Sequence, residues 1–216
     1  PPTSNAPLRS GKGSPYEGGI RVPLVVRWPG VTVPQGQVEQ PVISMDVAAT
    51  IAAAMSATPM ENLEDGVNLT RLLKEPSARL GREVIGWHYP HYHPGGASPY
   101  SAIRAGDWKL IQYYEDGRHE LFDLAKDPGE ARDLAGEQPA RVMELARRLS
   151  DWQGRVGAQW PLANSDYHAQ PLSASADGSV LLHSRSASVH GTVLRYEPMP
   201  FKDTLGWWGR AEDWVD

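Results

Sequence analysis

From Val22 to Trp28 the chain is almost continuously apolar and β-branched, and Pro29-Gly30 ends the run. That is the pattern of a strand buried on both faces of a largely parallel sheet, with Pro23 near its start, where a missing N–H is tolerated. After a Pro/Gly/Gln loop, Ser44 or Asp46 can cap a helix in which Val47, Ile51 and Met55 share one stripe, so this helix is expected to lie against the sheet. Gly66-Val67-Asn68-Leu69 leads into a short Leu72-Leu73 segment that Pro76 stops. From Val84 the pattern changes to short strands: Val84 to His88, Ala102 to Arg104, Trp108 to Tyr114 and Glu120 to Leu124. Ala105-Gly106-Asp107 and Glu115-Asp116-Gly117 fit the hairpin turns between them. Pro139 then opens a helix to about Trp152, with Val142, Leu145, Leu149 and Trp152 on one face and Arg141, Arg147 and Arg148 mostly outward.

The expected architecture is therefore α/β: the end of an α/β core over residues 1–80, then a small antiparallel sheet with a terminal helix over residues 81–156. Residues 157–178, rich in Pro, Ala, Ser and Asp, read as a linker. In residues 179–216, Val180, Leu182, Val193 and Arg195 alternate as strand residues, and Trp207, Trp208 and Trp214 crowd the end. About 40 residues are too few for a β-sandwich, so this stretch reads as a truncated β module.

Composition narrows the function. The length of 216 residues and the 40% hydrophobic share are ordinary for a soluble globular protein. The net charge of −5, with acids and bases interspersed, argues against a nucleic-acid or polybasic membrane partner, because counterion release needs clustered Lys and Arg. No apolar run approaches the roughly 20 residues needed to span a bilayer. The absence of cysteine excludes disulfides, thiolate catalysis and zinc–thiolate sites. The opening, Pro1-Pro2-Thr3-Ser4-Asn5, lacks the charged and apolar regions of a signal peptide and reads as mid-chain loop. Eight Trp beside two Phe suggest aromatic surfaces able to meet a sugar ring, although filling a core is their commoner use.

The segment richest in chemistry is Ser4-Asn5-Ala6-Pro7-Leu8-Arg9-Ser10-Gly11-Lys12-Gly13, continuing through Tyr16-Glu17-Gly18-Gly19-Ile20-Arg21-Val22-Pro23 to Arg27-Trp28-Pro29-Gly30. It aims one lysine from a glycine-flanked loop placed just before the expected strand. Glycines let backbone amides approach an oxyanion closely, and Lys supplies a compact charge with three donors, which suits sulfate or phosphate. It is not a P-loop, since no Ser or Thr follows Lys12.

Together with Ala102-Ile103-Arg104-Ala105-Gly106-Asp107-Trp108-Lys109-Leu110-Ile111, Glu120-Leu121-Phe122-Asp123-Leu124, Asp127-Pro128-Gly129-Glu130 and Asp133-Leu134-Ala135, this segment resembles the sulfatase family, within the alkaline-phosphatase-like superfamily, over about residues 3–155. The resemblance implies a sulfuric ester hydrolase in which a formylglycine made from Cys or Ser attacks the sulfur beside a calcium ion. It also implies a sulfated small molecule or glycan as substrate, and a periplasmic or secreted location. Lys12 matches the family's lysine that contacts the sulfate, where it would stabilise charge developing on the sulfuryl oxygens. The nucleophile motif, the paired aspartates and the Asp-Asn that precede Ser-Asn-Ala-Pro in the family have no counterpart here. The chain thus reads as the C-terminal portion of a sulfatase, with calcium ligands upstream of it, no metal ligand of its own and no activity alone. A phosphodiesterase or phosphonate-ester hydrolase of the same superfamily and a non-catalytic glycan-binding piece are the competing readings. His190-Gly191-Thr192-Val193-Leu194-Arg195-Tyr196-Glu197-Pro198 looks like the start of β-sandwich modules appended to some bacterial sulfatases.

The remaining candidates are local. Trp87-His88-Tyr89-Pro90-His91-Tyr92-His93-Pro94 places three imidazoles close together. Metal binding, structural packing and substrate contact by His91 or His93 all stay open, the last implied by the family's placement of this loop at the pocket mouth. Arg104 and Lys109 flank a hairpin turn and are expected to be solvated charges rather than glycan-steering ones. Glu17 and Arg21 are expected to be scaffold, pairing with each other or with loop backbone and so holding Lys12. Glu115, Asp116, Asp123, Asp127 and Glu130 lack calcium-loop spacing, so turns account for them.

Overall fold

The structure, a computed structural model, describes residues 4–55, 65–93 and 97–162, and beyond these 176–179, 189–190, 194–197, 204–206, 211–212 and 214–215. Its helices are α1 (Glu17–Ile20), α2 (Ser44–Ala54), α3 (Thr70–Lys74) and α4 (Pro139–Arg155). Its strands are β1 (Ile85–Tyr89), β2 (Tyr100–Ala105), β3 (Trp108–Tyr113), β4 (His119–Asp123), β5 (Val189–His190), β6 (Arg195–Glu197), β7 (Thr204–Gly206) and β8 (Trp214–Val215). The chain divides into two compact units, one joining the residues up to Val22 with those from Val84 onward, the other running from Pro23 to Glu83.

In the first unit β1-β2-β3-β4 form an antiparallel meander. Gly106 (φ +60°) and Gly117 (φ +71°) supply the left-handed turn residues on either side of β3. Alternation along the strands makes two apolar faces. Ile103, Leu110 and Leu121 stand side by side on one and meet Leu145 and Leu149 of α4, with Val142 and Trp152 at the margin. Ala102, Ile111 and Phe122 lie on the other with Tyr100 and Tyr113, covered in part by Tyr16 of the N-terminal loop. The helix is amphipathic in the expected way, and its arginines lie towards solvent, with Arg141 stacked over the Trp108 ring at 4.9 Å. One polar seam crosses this interface: Gln153 Nε2 donates to Ser101 Oγ (3.0 Å) and to the Tyr114 hydroxyl (2.9 Å), and His88 Nδ1 lies 2.7 Å from Ser101 Oγ. In the C-terminal stretch β5 pairs with β8 and β6 with β7, and His190 stacks on Trp214 at 3.9 Å. Most of the expected linker, together with Val180, Leu182, Val193, Trp207 and Trp208, lies outside the described residues.

In the second unit, Leu69, Leu72 and Ala78 form the core, with Val42, Leu73 and Leu80 around it. Asp46, in the first turn of α2, organises the surroundings. Its carboxylate accepts from the backbone N–H of Ile43 (2.8 Å) and of Val67 (2.8 Å) and takes both guanidinium arms of Arg82. Burial works to raise its pKa, but the Arg82 hydrogen bonds and the two amides outweigh this and hold the carboxyl below its ordinary value. Thr50 Oγ1 donates to Asp46 O (2.6 Å) and accepts from Leu69 N (2.9 Å), closing the same knot.

Two expectations are corrected here. Val22 to Trp28 forms no strand: it has no regular secondary structure, Val25 is 90% exposed, and among the described residues the run has no strand partner. A doubly buried strand exists only where neighbours cover both faces, and the apolar run does not supply them. Likewise α2 forms where expected, but Val47, Ile51 and Met55 point outward while Asp46, Thr50 and Ala52 are buried. The hydrogen-bonding knot at Asp46, not the apolar stripe, decides which face is turned in. No helix among the described residues is long and apolar enough to cross a membrane.

This packing carries two stability predictions. A Cβ added at Gly86 would lie 2.5 Å from the Trp152 ring, so Gly86→Ala should cost about 1–3 kcal/mol by forcing the ring off β1. Chemical denaturation reads this directly, and an unchanged midpoint would disprove the contact. Asp46→Asn should cost about 1.5–3 kcal/mol at neutral pH. Because the folded-state pKa is lowered, the difference between the two proteins is full above the unfolded pKa and is lost as pH falls through the folded one. A difference that persists at the acid end of denaturation curves collected across pH would disprove it.

Candidate functional site

The N-terminal loop folds back on itself. Asn5 Nδ2 donates to Gly18 O (2.8 Å), Gly18 N donates to Arg9 O (2.9 Å) and Ser14 N donates to Gly11 O (3.2 Å). The Gly18-Gly19 pair is required by this doubling: a Cβ on Gly18 would meet Arg9 O at 2.3 Å, and one on Gly19 would meet Ser14 O at 2.2 Å and Gly11 O at 2.7 Å. Lys12 sits at the bend with its side chain exposed.

Next to it, Gly13 adopts φ +90°, and a Cβ there would fall 2.2 Å from Cε1 of His93 and 2.3 Å from its Nδ1. The imidazole of His93 therefore lies flush against the backbone beside Lys12. His93 N donates to Ala97 O (2.9 Å), which fixes the loop after β1. His91 is exposed and meets the Tyr89 ring edge-on at 5.5 Å, and His93 lies 6.1 Å from the same ring. The fold thus brings Lys12 and His93 together through Gly13 and links His91 to His93 through Tyr89. His88, the third imidazole, is held elsewhere, by Ser101 and by Gln159 O (2.7 Å from Nε2).

Beneath the loop lies a charged cluster. Lys109 is 0% exposed, and its ammonium donates to Glu17 Oε1 (3.0 Å) and Glu130 Oε1 (2.8 Å). The second oxygen of Glu17 faces Arg104 Nη1 (3.3 Å), and the second oxygen of Glu130 accepts from Glu17 N (2.6 Å). Arg9 Nη1 donates to Glu130 O (2.9 Å), and its guanidinium stacks over Tyr16 at 3.7 Å. Burial pushes the Glu130 carboxyl above the ordinary carboxylate range, against the opposing pull of Lys109. On the same side the Tyr16 hydroxyl donates to Glu120 Oε2 (2.7 Å). Burial, with the Glu120 charge adding to it, pushes Tyr113 up to about 12.

The expectation that Lys109 and Arg104 are solvated is therefore corrected. Glu17 is scaffold as expected, but its partners are Lys109 and Arg104, while Arg21 is exposed. Lys109 alternates on β3 with Ile111 and Tyr113, and that inward parity was the signal available in the sequence. Among the described residues, no group of three or more His, Cys, Asp or Glu side chains can hold a metal ion. The described residues do not by themselves fit a calcium site.

Residues 11–154 match the family model described as N-sulphoglucosamine sulphohydrolase, C-terminal. The chain belongs to the sulfatase family. It is 37% identical over 161 residues to a sulfatase of Formosa agariphila, a match covering 69% of this chain and 29% of that protein. It is 31% identical over 172 residues to human arylsulfatase A, covering 68% of this chain and 32% of the relative. The solved structure of Ps i-CgsB superposes with a TM-score of 0.59 at 29% identity, over 69% of this chain and 32% of that one. A Bacteroides thetaiotaomicron protein designated BT33336S-sulf superposes with a TM-score of 0.52 at 28% identity, over 68% of this chain and 32% of that one. This sulfatase chain spans less than a third of the length of the relatives it matches. The family match takes in Lys12 and the loop from Gly11 onward, His91, His93 and strands β1 to β4.

The packing of His93 on Gly13 has a direct readout. Gly13→Ala should displace the imidazole and shift the ring-proton resonances of His93 and Tyr89, while the resonances of α4 stay in place. Ring resonances of His93 that do not move would show that the ring does not rest there.

Proposed function

We propose that the whole sulfatase to which this chain belongs hydrolyses sulfate esters of a carbohydrate, and that Lys12, flanked by His93 and His91, binds the sulfate group. The observation that carries the reading is the placement of Lys12: a doubled, glycine-built loop holds it at its bend, with the side chain open to solvent and one imidazole packed against the next residue. A compact cation there suits the three peripheral oxygens of a sulfuryl group, and it counts most where negative charge grows on them as the ester bond breaks. His93 and His91 add donors at the rim, where neighbouring hydroxyls of a sugar would lie.

A carbohydrate is favoured because Ps i-CgsB has been solved in complex with k-i-k-neocarrahexaose, and this chain superposes on that complex with a TM-score of 0.58 at 29% identity. BT33336S-sulf is described with the metabolism of multiple glycosaminoglycans. A polymeric glycan is met before uptake, so the proposal includes a periplasmic or secreted site of action.

In the whole protein, Lys12→Ala should lower sulfate release from a sulfated oligosaccharide by about 10²–10³-fold while the thermal midpoint is kept. Turnover close to that of the unaltered protein would remove Lys12 from the site. Phosphate monoesters and diesters run alongside test the leaving group, and faster release of phosphate than of sulfate would overturn the sulfate assignment.

A further inference from the structure

We infer that Lys109 and Glu130 are positioning residues: through Glu17 they set the loop that presents Lys12, so a buried ion cluster in the sheet fixes where the sulfate-binding cation stands. The inference rests on the assignment of Lys12 to the sulfate group.

The path is short and continuous. Lys109 stands opposite Arg104 on β2, and two like charges side by side on a strand pair repel unless an anion lies between them. Glu17 supplies it, with one oxygen on each cation. Glu130, 113 residues further along the chain than Glu17, takes the other side of the Lys109 ammonium and also accepts the Glu17 backbone N–H. Glu17 is thus held at both its carboxylate and its amide. It leads into Gly18 and Gly19, which pack on the carbonyls of Arg9, Gly11 and Ser14, the residues that bracket Lys12. Arg9 ties the other arm of the loop to the carbonyl of Glu130.

An apolar patch of the same size would hold the loop to the sheet while letting it slide. Directional bonds among fixed charges admit one register. Two carboxylates face two cations, so the cluster is neutral as a whole, and removing one member leaves a buried charge without its partner. Such a cluster adds little net stability, and its use lies in geometry.

The test uses the whole protein, with amide hydrogen exchange and steady-state kinetics read together. Lys109→Met should raise exchange at the Gly18 and Gly19 amides about tenfold or more relative to β3 amides, and lower kcat by about tenfold or more with a smaller change in KM. Lys109→Met/Glu130→Gln, which restores neutrality, should recover much of both, a coupling that two independent packing defects would not show. Wild-type exchange at Gly18 and Gly19 in folded Lys109→Met overturns the inference, and so does a double variant no better than the single one. Should Lys109→Met fail to fold, the milder Glu130→Gln takes its place: faster exchange at Gly18 and Gly19 is again expected, and wild-type exchange there again overturns the inference. The exchange readout belongs to this inference and the turnover of Lys12→Ala to the sulfate assignment, so each can fail without the other.

Discussion

A lysine ammonium on the inner face of a sheet has to be neutralised where it stands, because water cannot reach it and moving it would break the strand register. Lys109 imposes that condition on this sulfatase chain. Glu17 and Glu130 meet it from two distant parts of the sequence, and in doing so they define where the N-terminal loop and the turn after β4 must come. Replacing the cluster with packed hydrocarbon would remove the desolvation cost, but also the directional bonds that distinguish one loop placement from its neighbours.

The sheet and helix were legible in the sequence because their patterns are local. Gly106 and Gly117 announce the turns, the alternation through Ile103, Leu110 and Leu121 fixes the strands, and Leu145 and Leu149 show the helical period. The doubled loop was legible through its glycines: at Gly18 and Gly19 a carbonyl stands where a side chain would be. What was not legible depends on partners far away in sequence. Strand parity turns Lys109 inward with Ile111 and Tyr113, but nothing local identifies the two carboxylates that make its burial tolerable.

The apolar run at Val22 to Val26 and the outward stripe of α2 show the opposite failure, in which hydrophobic pattern promises burial that the described residues do not deliver. Pattern reports what a segment can pack against, and a partner decides whether it does. In α2 the polar side won because Asp46 gathers two amides and a guanidinium at a single carboxylate, a demand that outranks three aliphatic side chains.

The separation in chain between Glu17 and its partners orders events during synthesis. The Lys12 loop leaves the ribosome before the groups that hold it, which follow Glu17 by 92 and 113 residues. Until β3 and the Glu130 turn have emerged and met, Glu17 lacks its buried partners, so the loop is anchored only after the sheet beneath it has formed.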